Sequence, residues 1–392
     1  MSLLKFNPKN ERIARAEQRL SAAYRREPGH IVPIVGPTPS FQTYSEKECI
    51  EDLDKMLAAS AAHANAMAGA DNDSVPLINT YCTVPMVPQA FGCRVEYTPD
   101  GIGWTKPVIT DINQVWSLKP MKLSEAQLIH RLSQWIDYAQ RLLGVEVPFW
   151  TSDLQSPFSV AVEIVDANEL LTACITEPKA VHHLCQMVAD FSIEWMRQHL
   201  SQMEHPGFPG RNFPSISDNI GICIADDTPL IMLSPEMYRE FALPYNSQIG
   251  EAFGGVHVHS CGNYLHNLDN LLQIKNIRSI QAHAGPGEIS LPAAATEPCP
   301  FNRARRRIAY KIDTNSVSWA GQFPDSATIY RDYIIPRLSQ GDLTGCILDS
   351  ASGPEIKTPA DANYWTQWTR EQLAMAGCEK QKISGLPGRG AR

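Results

Sequence analysis

The sequence predicts an α/β chain folded as a (β/α)8 TIM barrel with an N-terminal helical extension. Three observations carry this expectation. From residue 75 onward, short apolar segments alternate with longer amphipathic ones, the texture of βαβ units and a parallel sheet. Seven strands of the required eight are legible, at 75–81, 147–152, 220–225, 255–259, 277–283, 307–312 and 344–348. Polar residues gather where these segments end, and barrel enzymes place their chemistry at the C-terminal ends of their strands.

Helices are expected between the strands at 124–143, 168–176, 178–202, 235–253 and 263–273. The helix at 235 has a clear start, with Ser234 as N-cap, Pro235 in the first turn and Glu236 beside the positive end of the dipole. Upstream, 8–26 reads as a polar helical arm, and 31–44 holds three prolines and is irregular. A helix at 45–67 opens with Ser45 and Glu48 in capping-box spacing. The expected organisation is an arm over 1–70, a barrel over 71–376 and a loose tail over 377–392, where Gly385, Pro387, Gly388 and Gly390 crowd together.

Composition removes several function classes. A net charge of −8, with one short basic run at Arg303, Arg305, Arg306 and Arg307, argues against nucleic acid as a partner. No apolar run approaches the ~20 residues that cross a bilayer, and the first 26 residues lack the apolar core of a secretory signal. A cytoplasmic protein without membrane contact is expected. Its ten cysteines are scattered with no Cys-x-x-Cys, the pattern of free thiols in a reducing compartment, where a special cysteine is a metal ligand or nucleophile.

The segment GGVHVHSCG (254–262) is the most informative. His259 and Cys261 lie two apart, so on extended backbone both side chains point to one face, where they could hold Zn2+. Cys346 ends another strand and could reach the same rim, giving three protein ligands and one open position, the arrangement of a catalytic zinc. A bare His-x-Cys match more often means a buried thiol beside a hydrogen-bonded histidine. Asp226 and Asp227 end the 220–225 strand, and at least one is expected to face the cavity as acceptor or proton carrier, against the alternative of a turn cap. His257 shares the face of His259, as an orienting partner of the metal ligand or as barrel packing. Asn79, Tyr81, His283 and Asp349 end strands and are candidate substrate contacts. Glu163 and Glu288 are possible fourth ligands.

GGVHVHSCGNYLHNLDNLL, IADDTPLIMLSPEMYREFALPYNSQI and GCILDSASGPEIKTP, together with SPFSVAVEIVDANELLTACITEPKAVHHLC, resemble the uroporphyrinogen decarboxylase superfamily over roughly 75–358. Within it they are most similar to the methylcobamide:coenzyme M methyltransferase branch. That resemblance implies zinc held by a His-x-Cys pair and one distant cysteine, which fall here on His259, Cys261 and Cys346. It implies transfer of a methyl group from a methylated corrinoid to a small thiol activated on zinc. No Asp-x-His-x-x-Gly corrinoid motif occurs, so a separate corrinoid protein would bring the donor.

Two other readings stay open: a decarboxylase-like lyase on the same barrel, and a non-catalytic small-molecule-binding barrel. The decarboxylase branch has an arginine-rich motif for its polycarboxylate substrate. The matching segment here, PLINTYCTVPM (76–86), has no arginine, so carboxylates would lose water unpaired. The stretch 204–217 departs from the coenzyme M enzymes and leaves donor and acceptor open.

Overall fold

The computed structural model describes residues 3–36, 44–80, 84–99, 101–144, 146, 148–152, 154–207, 220–284, 291, 299–313, 326–339, 343–349 and 356–376. Six parallel strands form one sheet: β1 (Leu154–Gln155), β2 (Ile222–Ala225), β3 (Val256–His259), β4 (Ile277–His283), β5 (Ala309–Asp313) and β6 (Cys346–Leu348). Each strand pairs with the next in sequence, so the order across the sheet is β6-β5-β4-β3-β2-β1. Helices connect them, as parallel pairing requires. The strands are buried and apolar on the side facing the helices, where Val258, Ile280, Tyr310 and Leu348 join the main core.

Parallel pairing continues beyond the β6 edge as an isolated bridge, and a separate short parallel pair carries another. Ile34 bridges Leu348 at that edge, and Ile78 bridges Phe149 of the short pair Phe149–Trp150 and Pro206–Gly207. The expected strand at 75–81 thus contributes a bridge instead of a ladder. Pro76 and Pro148 lack an N–H, which removes bonds that a continuous ladder would use. Among the described residues, the main sheet has six strands in ladders, and a single bridge extends it at Leu348.

Other expectations shift for local reasons. The helix predicted at 235–253 is two helices, Pro235–Phe241 and Leu243–Ala252, because Pro244 cannot donate into the ladder that would join them. The helix predicted at 263–273 shortens to Leu268–Leu271. An antiparallel hairpin, Arg94–Tyr97 with Gly103–Lys106, was not anticipated. Gly221 and Gly255 start β2 and β3 in close contact: Gly221 has φ +74°, and a Cβ there would meet the Gly255 carbonyl oxygen at 1.9 Å.

Helix α1 (Glu11–Tyr24) covers the N-terminal ends of the strands. Asn10 caps it by accepting from the Ile13 N–H at 2.9 Å. Its apolar stripe, Ile13, Ala16, Leu20, Ala23 and Tyr24, packs with Val75, Ile220, Ala309 and Ile347 in a second, smaller core. Arg12 donates to the Asn72 and Ser74 carbonyls, and Arg19 pairs with buried Asp73 at 2.9 Å. Leu20→Ala is expected to cost about 2–5 kcal/mol, the usual range for emptying a core leucine site. Urea unfolding would check it, and a cost under about 1 kcal/mol would mean that α1 does not seal this end. With one end closed, the opposite end holds the polar residues. No helix among the described residues is long and apolar enough to cross a membrane.

Candidate metal centre

The sequence His-Val-His-Ser-Cys at the end of β3 puts His259 on the strand and Cys261 just beyond it. His283 ends the neighbouring strand β4. One ligand atom from each of His259, Cys261 and His283 lies within 4.8 Å of the others. The Cys261 Sγ and the His259 Nε2 are 3.4 Å apart. Bonds of about 2.3 Å to sulfur and about 2.0–2.1 Å to nitrogen at a tetrahedral angle put two such ligands roughly 3.5 Å apart, so the donor set and spacing fit zinc.

Both histidines are buried and Cys261 is exposed, so the group opens outward at the thiol. Asp227 accepts from the Cys261 backbone N–H at 2.5 Å and fixes the loop that carries the thiol. Ile231, 39% exposed, lies against Gly262, the residue after Cys261.

Beneath the group lies a buried polar network. The Gln281 side chain bonds the His259 Nδ1 at 2.6 Å, the His283 Nε2 at 2.9 Å and the Asp313 Oδ2 at 2.8 Å. The Lys311 Nζ is 2.8 Å from the Asp349 Oδ2 and 3.4 Å from the Asp313 Oδ2. Burial disfavours the Lys311 ammonium, but Asp349 and Asp313 together outweigh it and raise its pKa. Burial raises the Asp349 pKa against the pull of Lys311, so one ammonium is shared by two carboxyl groups beside the histidines. Burial, helped by His259 and Lys311, pushes the His283 pKa down to about 4, so its imidazole is neutral at pH 7 and has a lone pair to offer.

Cys346, expected as the third ligand, is elsewhere. It opens β6 and stands opposite Tyr310, which stands opposite Ile280, which stands opposite Val258. Residues directly opposite share a face, and faces alternate along a strand. Cys346 is therefore on the helix-facing side, where Tyr310 packs edge-on against Phe301, and His259 is on the other side. His283, expected to touch substrate, takes its place in the group.

The two aspartates divide. Asp227 is at the site, but Asp226 points back among the helices, accepting from the Tyr238 hydroxyl at 2.6 Å and the Asn246 amide at 2.9 Å. Its carboxyl is completely buried, which pushes its pKa up to about 7. The Ala225 residue before it pairs with His259, so alternation sends Asp226 to the opposite face. His257 shares the face of His259 but lies deeper, fully buried and bonded to the Ser279 hydroxyl at 2.7 Å. Burial holds its pKa well below the ordinary value. The partner that orients His259 is Gln281, not His257.

Asp349 is at this end of the sheet and holds Lys311. Asn79 follows the Ile78 bridge, and its carbonyl accepts from Ser60. Glu163 accepts from the Thr105 hydroxyl beside the hairpin and is outside the metal group. Tyr81 and Glu288, and most of the 204–217 stretch, lie outside the described residues. Sequence reasoning missed Gln281 and Lys311. The signal for Gln281 was alternation: Ser279, Gln281 and His283 share one face of a strand whose other face carries Ile280 and Ala282.

Residues 16–202 match the family model for uroporphyrinogen decarboxylase (URO-D). The URO-D match begins inside α1 and ends at the close of the helix Pro178–Ser201, ahead of the segment carrying His259 and Cys261. A solved methyltransferase from Methanosarcina mazei shares the fold, with a TM-score of 0.62 over 92% of this chain and 99% of that one at 15% identity. No curated protein matches the chain.

Proposed function

We propose that this chain belongs to the URO-D family and is a zinc-dependent methyltransferase that moves a methyl group from a methylated corrinoid to a thiol. The observation that carries the reading is the meeting of His259, Cys261 and His283 at the end of the sheet opposite α1. These residues would hold the ion, which supplies Lewis acidity that lowers the pKa of a thiol brought to it. The chain's own part is positioning. Asp227 fixes the Cys261 loop, Gln281 orients His259, and the paired Lys311 supports the carboxylates beneath. Ile231 gives the entrance an apolar edge beside Cys261.

The proposal extends to a closed (β/α)8 barrel, with the Ile34–Leu348 and Ile78–Phe149 bridges as its seams. A cytoplasmic setting and a separate corrinoid protein as methyl donor belong to the same reading. The absence of arginine from 76–86 weighs against a tetrapyrrole polycarboxylate.

Loss of the methyl group from methylcobalamin, followed with a panel of small thiols, tests the reading. Turnover should stop on complete chelation and return with added zinc. Turnover that survives zinc removal would refute it, and conversion of uroporphyrinogen to coproporphyrinogen would transfer the case to the lyase.

A further inference from the structure

We propose that Gln281 is a positioning residue that fixes the tautomer of His259 and thereby selects His259, ahead of His283, as the imidazole partner of Cys261. The inference rests on the metal reading of this group and adds which nitrogen is presented.

A carboxamide has one accepting end and one donating end, and its orientation is set by its neighbours. Asp313 decides it here. Its Oδ2 lies 2.8 Å from the Gln281 Nε2 and 3.4 Å from the Lys311 Nζ, so it is an acceptor in contact with a cation. The amide NH2 must face it, because the reversed amide would set two acceptors against each other in a buried site. The Gln281 Oε1 is then left 2.6 Å from the His259 Nδ1. An amide oxygen only accepts, so His259 carries its proton on Nδ1. Its Nε2 lone pair is free of that proton and lies 3.4 Å from the Cys261 Sγ.

The same NH2 lies 2.9 Å from the His283 Nε2, which must therefore accept. While that bond lasts, His283 holds its proton on Nδ1 and its Nε2 is engaged. His259 and Cys261 are the pair presented first, and His283 joins only by giving up Gln281. One amide thus assigns different tasks to two similar imidazoles, and the order comes from Asp313.

The test uses full-length protein with 15N-labelled histidine. Long-range proton–nitrogen correlation spectra of the metal-free protein should show His259 as the Nδ1–H tautomer, its signals assigned by their loss in His259→Asn. Gln281→Leu should shift His259 toward the Nε2–H form that free side chains favour. It should also weaken zinc binding, read by chelator competition, by about 10–100-fold, the usual effect of removing an orienting neighbour. Asp313→Asn, which keeps Gln281 but frees its orientation, should give a mixture of tautomers and guards against a Gln281→Leu variant that fails to fold. An Nε2–H His259 in the wild type, or tautomer and affinity unchanged in Gln281→Leu, would overturn the proposal. A wild type that binds no zinc yet shows the expected tautomers would overturn the metal reading and the ligand order, leaving only the tautomer assignment.

Discussion

Cys261→Ala is expected to abolish stoichiometric zinc binding and methyl transfer together, whereas Cys346→Ala leaves both intact. Removing a direct ligand should weaken binding by more than the roughly 100-fold that loss of an orienting neighbour costs. Cys346 is fully buried on the helix-facing side of β6, so its loss should appear as a modest fall in stability, about 1 kcal/mol. Chelator competition and urea unfolding on both variants separate the two effects. Equal loss of zinc in both would return Cys346 to the site.

The second large effect concerns pH and Asp226. Burial raises its folded-state pKa from 3.8 to about 7, so the folded protein retains a proton that the unfolded chain releases. The stability gained by burying the neutral acid is fully present below about pH 4 and is lost as pH rises through about 7. At about 1.4 kcal/mol per pKa unit, a shift of this size amounts to roughly 4 kcal/mol. Asp226→Asn stays neutral and keeps an accepting oxygen for Tyr238 and Asn246. Between pH 5 and pH 8.5, unfolding free energies of the wild type should fall relative to those of the variant, with zinc binding unaffected. Parallel curves would show that Asp226 is ionised in the fold, and lost zinc would place it at the site.

Much of the sheet was legible because its strands are short apolar runs bounded by turns, and the 277–283 strand appears with the boundaries expected. The His-x-Cys pair was legible because a spacing of two on extended backbone is enough to put two side chains on one face. Cys346 was misread as a candidate ligand through the same rule applied too loosely. Cys346 and Asp349 are three apart, so a regular strand cannot aim both into one site. Once Asp349 reaches Lys311, the cysteine must face the helices.

Asp226 and Asp227 are adjacent and necessarily diverge, but which of them faced inward depended on pairing with β3 that sequence does not give. Lys311 escaped notice because it reads as an isolated polar residue, and Gln281 because alternation alone gives it no partner. Their role exists only across strands, where Gln281 stands opposite Lys311. The cover that α1 provides was equally hidden, since its polar sequence has a narrow apolar stripe whose partner, Ile347, is more than three hundred residues away.

The most direct test of the central claim is the zinc-edge X-ray absorption spectrum of the loaded protein. One sulfur neighbour is expected at about 2.3 Å, from Cys261, with the remaining neighbours nitrogen or oxygen at about 2.0–2.2 Å. Two sulfur neighbours would contradict the placement of Cys346 among the helices, and a shell without sulfur would remove Cys261 from the centre.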